Sequence, residues 1–389
     1  VIIMDKEMVN KTIGEVFNEI ADNIKKGDFG KKTKIGLTIL GSEHGVEEMV
    51  RAAEIARANY PNIEIILIGD KVTEEFPVVE VKDAEEGHKK MVELLESKAI
   101  DGCVTQHFEF PIGTSTMGKV VTPAKGKQMI IASTTGTSAI NKVEAMVLNA
   151  IGGVAVAKAN GISNPKVGIL NIEGARKVEI ILKELKDNGY SFEFCNSQRA
   201  DGGAVMRGND LLMGTPDVMV CDSLTGNLLI KVFSAFNTGG DYETLGAGYG
   251  PGVGEGYDKV INIISRASGA PLIAEAIKFC AESAKNNLME KVKQEFLSAK
   301  TAKLNDILEK HLKSKADDTA EDVKMPPKKV VTYSIAGIDI LELENACKAL
   351  WKENIYSESG MGCTGPIILV AEEDGASAEN ILVKSGYKS

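Results

Sequence analysis

Apolar residues at three- and four-residue spacing open the chain: Val9, Ile13, Val16, Phe17, Ile20 and Ile24 fall on one face of a helix. Gly27 and Gly30 end it. Short apolar runs then alternate with amphipathic stretches. "KIGLTIL", "IEIILIG", "DGCVTQ", "QMIIAST", "KVGILNI", "FEFCN" and "DVMVCD" read as strands. "GVEEMVRAAEIARANY", "GHKKMVELLESKAI", a stretch from about 139 to 160, "RKVEIILKELKDNG" and "GNDLLMG" read as helices. Gly152 and Gly153 lie within the third of these and let it pack closely. Strands alternating with helices predict an α/β fold with a doubly wound, mostly parallel sheet. Such sheets bind ligands at the carboxyl ends of their strands.

Beyond residue 238 the pattern changes. Residues 239–256 hold eight glycines and read as a loop, either a solvated connection or a mobile lid. Residues 258–312 are helical and charged, as in a solvated hairpin or a dimer arm. Pro326-Pro327 lies in a polar linker, 316–329. From Val330 a strand, a helix, the turn "SESGMGCTGP", a second strand and a helix form a small α/β unit. The expected organisation is therefore a helix in 1–30, an α/β domain in 31–315, the linker, and a C-terminal unit in 330–389.

Composition narrows the function. A net charge of −10 gives no general attraction for nucleic acid or anionic lipid, and 5% aromatic residues offer few stacking platforms. No apolar run approaches the roughly 18 residues of a membrane span. The opening Val1-Ile2-Ile3-Met4 is too short for a signal-peptide core, so a cytoplasmic protein is expected. Six cysteines without a C-x-x-C and four scattered histidines predict neither a redox pair nor a metal site.

Cys363 carries the sharpest chemistry. It lies in "Ser359-Gly360-Met361-Gly362-Cys363-Thr364-Gly365-Pro366". Glycines there leave the sulfur accessible and let neighbouring N–H groups converge, which favours thiolate and offers an oxyanion hole. The alternative is a cysteine that only fills space beside a turn. Cys103, four residues before His107, is a weaker candidate for a Cys–His pair. Asp222, Thr225, Gly226 and Asn227 follow the strand "VMVC" and lead into a helix bearing Lys231. That layout suits an anion, although Asp and Asn also cap helices with no ligand present. Ser133, Thr134, Thr135, Gly136, Thr137 and Ser138 form a second hydroxyl-rich turn, and residues 113–119 a third. Three such turns on neighbouring strands would converge on a phosphate. No Walker A or dinucleotide-binding glycine pattern occurs, so no cofactor is expected.

"VMVCDSLTGNLLIK" and "LNAIGGVAVAKANGISNPKVGILNIEG" resemble the phosphate acyltransferase family of bacterial phospholipid synthesis over roughly residues 34–300. Asp222, Gly226 and Asn227 are the most specific part. The resemblance implies a fold like that of isocitrate dehydrogenase and phosphotransacetylase. Two features depart from it: "FEFPIGTSTMGK" and the tail with Cys363. Both are similar to the component C alpha-subunit family of glycine/sarcosine/betaine reductase complexes, over the whole chain. That similarity implies an acyltransferase that takes acetyl from selenoprotein A onto a thiol, here Cys363, and releases acetyl phosphate with inorganic phosphate as substrate. It also implies a thiolase-like beta subunit as partner. In this scheme Thr364 and Gly365 N–H groups stabilise the oxyanion, while Asn227, Lys231 and the hydroxyl turns hold phosphate. A long-chain acyl-carrier-protein phosphate acyltransferase and a non-catalytic stabilising subunit are the alternatives.

Overall fold

The computed structural model describes residues 14, 17, 18, 20, 21, 32–198, 202–312, 323–336, 338, 342–362 and 365–388. Most of the N-terminal helix and part of the linker expected from the sequence fall outside them. The first βα units are β1 (Thr33–Thr38), α1 (Val46–Asn59), β2 (Ile63–Gly69), β3 (Val78–Glu80), α2 (Ala84–Glu96) and β4 (Gly102–Thr105). A long hairpin follows, β5 (Thr114–Val121) with β6 (Gln128–Thr137), and then α3 (Lys142–Ala159). Next come β7 (Lys166–Leu170), α4 (Ala175–Asp187), β8 (Glu193–Phe194), β9 (Val205–Met206), α5 (Gly208–Met213), β10 (Val218–Val220) and α6 (Ser223–Ala235). The main body closes with β11 (Gly250–Gly254), β12 (Ile261–Ile263), α7 (Ala270–Lys285), α8 (Leu288–Thr301) and α9 (Leu304–Leu312).

These strands form one sheet in the order β3-β2-β1-β4-β12-β11-β5-β6-β10-β7-β8, with β9 beside β7. Helices cover both faces. Residues of α1, α3, α4, α7, α8 and α9 bury their apolar sides on one face, and residues of α2, α5 and α6 on the other. The doubly wound α/β expectation therefore holds. Only the centre is antiparallel: β11 runs against β12 and β5, and β5 against β6. Three reversals turn the β6–β10–β7 group opposite to β1–β4–β12. The sheet thus has two carboxyl edges, one on each side.

Two stretches expected from sequence to be a loop and a turn are strands. Residues 250–254 are neither a connection nor a lid but a buried central strand. A Cβ at Gly250 would stand 1.9 Å from the Met117 carbonyl oxygen, at Gly252 2.3 Å from the Phe110 ring, and at Gly254 2.1 Å from the Gly113 carbonyl oxygen. At Gly252 and Gly254 glycine is there because no side chain fits, and at Gly250 a positive φ of 78° adds a backbone reason to the steric one. Residues 114–121 likewise form a strand, not a turn, and β6 runs on to Thr137. The helices after 258 also depart from the expectation of a solvated arm. In α7, Leu272, Ile273, Ala276, Ile277, Phe279 and Cys280 are fully buried beneath the sheet.

Helix α3 is apolar nearly all round because it is buried nearly all round. Its two glycines bring it onto the strands: a Cβ on Gly152 would meet Met117 and Val253 at 2.9 Å, and one on Gly153 would meet Val218 at 2.5 Å. Asn141 caps it, accepting from the Val143 and Glu144 amides.

The C-terminal unit has its own small sheet, β13 (Tyr333–Ala336), β14 (Ser357–Gly362) and β15 (Gly365–Val370), in the order β13-β15-β14. Helices α10 (Leu343–Lys352) and α11 (Gly375–Lys384) pack on it through Leu350, Ala378 and Leu382. Lys177, in the first turn of α4, pairs with Glu342 at 3.9 Å. That contact lies at the carboxyl end of β7. Among the described residues no helix is long and apolar enough to cross a membrane.

Candidate functional site

At the carboxyl edge of β6 and β10 the three hydroxyl-rich segments of the sequence meet. β5 begins where β6 ends, with Thr114 opposite Thr137 and Ser115 opposite Gly136. β10 lies beside β6 in parallel, Val220 opposite Ala132, and delivers Asp222 next to Ser133. The contact is tight because Gly226 has no side chain: a Cβ there would sit 1.7 Å from the Ser133 carbonyl oxygen. Gly226 thus seats the start of α6 directly on the backbone of β6.

Asp222 is the N-cap of α6. Its carboxylate accepts from the Thr225 amide at 3.0 Å and the Thr225 hydroxyl at 2.8 Å. Burial raises its pKa, but these hydrogen bonds and the Lys142 ammonium outweigh burial and hold it below the ordinary value. Lys142 stands 3.7 Å from Asp222 and 3.3 Å from Glu173. The carboxylate therefore occupies the helix N-terminus itself, and Lys142 neutralises it.

Inside this rim lies a closed network. Ser115 and Ser138 hydroxyls both donate to Asn149 Oδ1, at 2.8 and 2.6 Å, and lie 2.7 Å from each other. Asn149 Nδ2 donates to the Cys221 carbonyl at 3.5 Å. Thr134 donates to the Tyr249 carbonyl at 2.8 Å and touches the Thr116 hydroxyl at 2.6 Å. Ser133 and Thr134 are fully buried, so they brace the edge rather than face a ligand. Thr135, Gly136, Ser138 and Asn227 are partly exposed. The Asn227 amide has no hydrogen-bond partner among the described residues and is free to take one. Exposed Ile112, Ile140 and Leu224 give this edge an apolar rim.

Other expected residues lie apart. Lys231 is nine residues beyond Asp222, which at 1.5 Å per residue is about 13 Å along the helix. Its ammonium reaches Ser265 Oγ at 3.3 Å and Glu243 Oε1 at 3.5 Å, at the opposite edge of the sheet. Cys103 is fully buried in β4, where its thiol donates to the Val104 carbonyl; burial pushes its pKa up. His107 is exposed beyond the end of that strand, so the two form no pair. Cys221 is also a buried thiol with a raised pKa. Cys363 and Thr364 lie outside the described residues. Of the residues that flank them, Gly362 of β14 pairs with Gly365 of β15. Sequence reasoning missed Asn149 and Lys142, whereas Ser115 lies within the third hydroxyl-rich segment it singles out. Asn149 left a signal, a polar residue inside an otherwise apolar helix.

This is an α/β protein whose carboxyl-edge turn carries Asp222, Gly226 and Asn227 against a hydroxyl-lined strand end. The chain belongs to the family described as fatty acid synthesis protein, whose model matches residues 33–369. It is 56% identical over 97% of its length to the glycine/sarcosine/betaine reductase complex component C subunit alpha of Peptoclostridium acidaminophilum, covering 98% of that protein. It is 25% identical to the phosphate acyltransferase of Staphylococcus aureus strain JH9, over 51% of this chain and 70% of that enzyme.

Proposed function

We propose that the chain is the acyltransferase subunit of a component C-like assembly and passes an acetyl group from Cys363 to phosphate. The observation that carries this reading is the similarity to a component C alpha subunit along nearly the whole chain, tail included. The weaker similarity to a phosphate acyltransferase supplies the reaction class. In the proposed step a phosphate oxygen attacks the thioester carbonyl. The C–S bond breaks, its electron pair leaves on the Cys363 sulfur, and acetyl phosphate departs. A thioester needs little general-base help, so positioning is the main demand. Asn227, Thr135 and the Gly136 backbone hold phosphate at the β6–β10 edge, with Lys142 offsetting the charge of Asp222. Thr364 and Gly365 N–H groups take the oxyanion. The Lys177–Glu342 contact supports the tail's approach to this same edge. Selenoprotein A is the proposed source of the acetyl group, and a thiolase-like beta subunit the proposed companion.

Arsenate tests the reaction. An acyl arsenate hydrolyses at once, so the protein should consume acetyl phosphate when arsenate is present. Cys363→Ser should abolish this. The apolar rim of Ile112, Ile140 and Leu224 favours one second reading, a long-chain acyl phosphate synthase. That enzyme needs no tail thiol and would remain active in Cys363→Ser with a long-chain acyl carrier.

A further inference from the structure

The opposite edge of the sheet gathers three of the chain's four histidines. His44 follows β1, His88 lies in the second turn of α2, and His107 follows β4. The carboxyl ends of β1, β4 and β12 lie side by side there. Beyond them opens a cleft of about 420 Å³ lined by Leu40, His88, Gln106, His107, Phe108 and Arg266, among others. The His88 ring is fixed by Thr105, whose hydroxyl lies 3.3 Å from Nε2 and accepts from the Thr38 hydroxyl at 2.8 Å. The His107 ring centre is 6.5 Å from that of His88, and Phe108 meets His88 edge to face.

Charge distinguishes the two edges. At the Asp222 edge the lysine is already shared between two carboxylates. Here the exposed Arg266 guanidinium has neither an ion pair nor a hydrogen bond among the described residues. The neighbouring Ser265 holds the Lys231 ammonium. Of the cleft's carboxylates, Glu85 is engaged by Lys89 at 2.7 Å, which leaves Glu109 as the opposing charge. Burial, then the nearby His107, lowers the pKa of His88.

We propose that this cleft is a second ligand site, for a small organic anion. Its phosphate or carboxylate head pairs with Arg266 and the His107 imidazole, beside the His88 ring, and its short apolar body lies on Leu40 and Phe108. Strand carboxyl ends are where α/β sheets bind ligands, and a guanidinium fork suits either head group. The site does not depend on the acyl-transfer reading.

Four histidines give four ring signals, which His→Gln variants assign. The full-length chain, labelled at histidine nitrogens, is titrated with inorganic phosphate, acetate and acetyl phosphate. His88 and His107 should shift saturably. His311, whose Nε2 sits 2.7 Å from a Glu184 oxygen, should not. Arg266→Ala should weaken the apparent affinity roughly ten- to hundredfold, the worth of one charged hydrogen bond. Because Arg266 is exposed and unpaired, that variant keeps the fold, which circular dichroism checks. Asn227→Ala should leave the shifts unchanged, which separates this cleft from the Asp222 edge. A response to phosphate alone or to acetate alone supports the site and names its head group. No response to any of the three, equal shifts of all four rings, or shifts that survive Arg266→Ala would overturn the inference.

Discussion

Replacing Gly226 by alanine probes the seam on which the candidate site is built. The new Cβ would lie 1.7 Å from the Ser133 carbonyl oxygen, 2.8 Å from its carbon and 3.2 Å from the Cys221 sulfur. An ordinary contact needs about 3.3 Å or more, so α6 and β6 must part by roughly 1.5 Å. The obstacle is backbone of a central strand, which cannot rotate away. Overpacking costs about 1–3 kcal/mol, and this position belongs at the upper end. At about 2–4 °C per kcal/mol, 3 kcal/mol lowers Tm by about 6–12 °C. The same displacement carries the start of α6, Asn227 included, away from the end of β6, and a shift of about 1 Å at a reacting site costs on the order of 100-fold in rate. Thermal unfolding by circular dichroism and the arsenate assay read the two effects. Gly208→Ala is the control, since nothing lies within 4 Å of its added Cβ. A Gly226→Ala protein with the Tm and rate of the parent would refute the tight seam.

Three further outcomes follow from the same geometry. Asn149→Ala removes the acceptor shared by Ser115 and Ser138 and should cost about 2–3 kcal/mol in urea unfolding, with a loss below 0.5 kcal/mol counting against the network. Asp222→Asn keeps the cap but removes the charge. Because the folded pKa of Asp222 lies below 3.8, its contribution is full above that value and fades as pH falls through the folded pKa. The stability gap to the parent should therefore close in acid, and a gap independent of pH would contradict the assignment. Gly250→Ala places a Cβ 1.9 Å from the Met117 carbonyl oxygen at a positive φ of 78°, so it should fail to yield folded soluble protein, whereas a stable variant would return 239–256 to the status of a surface loop.

The sequence was most legible where apolar runs are long. "KIGLTIL", "IEIILIG" and "VMVC" became β1, β2 and β10 because β-branched and leucine side chains fill both faces of a covered parallel sheet. The convergence of Asp222 with Ser133–Ser138 could also be anticipated, since both follow apolar strands. Glycine misled twice. In 250–254 it marks a crowded strand, and in 114–121 Thr, Ser and Gly hide a strand whose hydroxyls bond inward. Lys231 shares a helix with Asp222 but not an edge, because a side chain two turns along α6 serves the far side of the sheet. Asn149 could be noticed from sequence, but its partners come from 34 and 11 residues away, and only the folded hairpin brings them together.

The central claim is that Cys363 carries the acyl group. The most direct measurement is peptide mapping by mass spectrometry after the protein is incubated with acetyl phosphate. One acetyl should appear on the tail peptide that contains Cys363, should be lost on treatment with hydroxylamine, and should be absent from Cys363→Ser. The buried thiols of Cys103 and Cys221 should stay unlabelled in the folded protein. An acetyl group on Cys103, with Cys363 bare, would contradict the account.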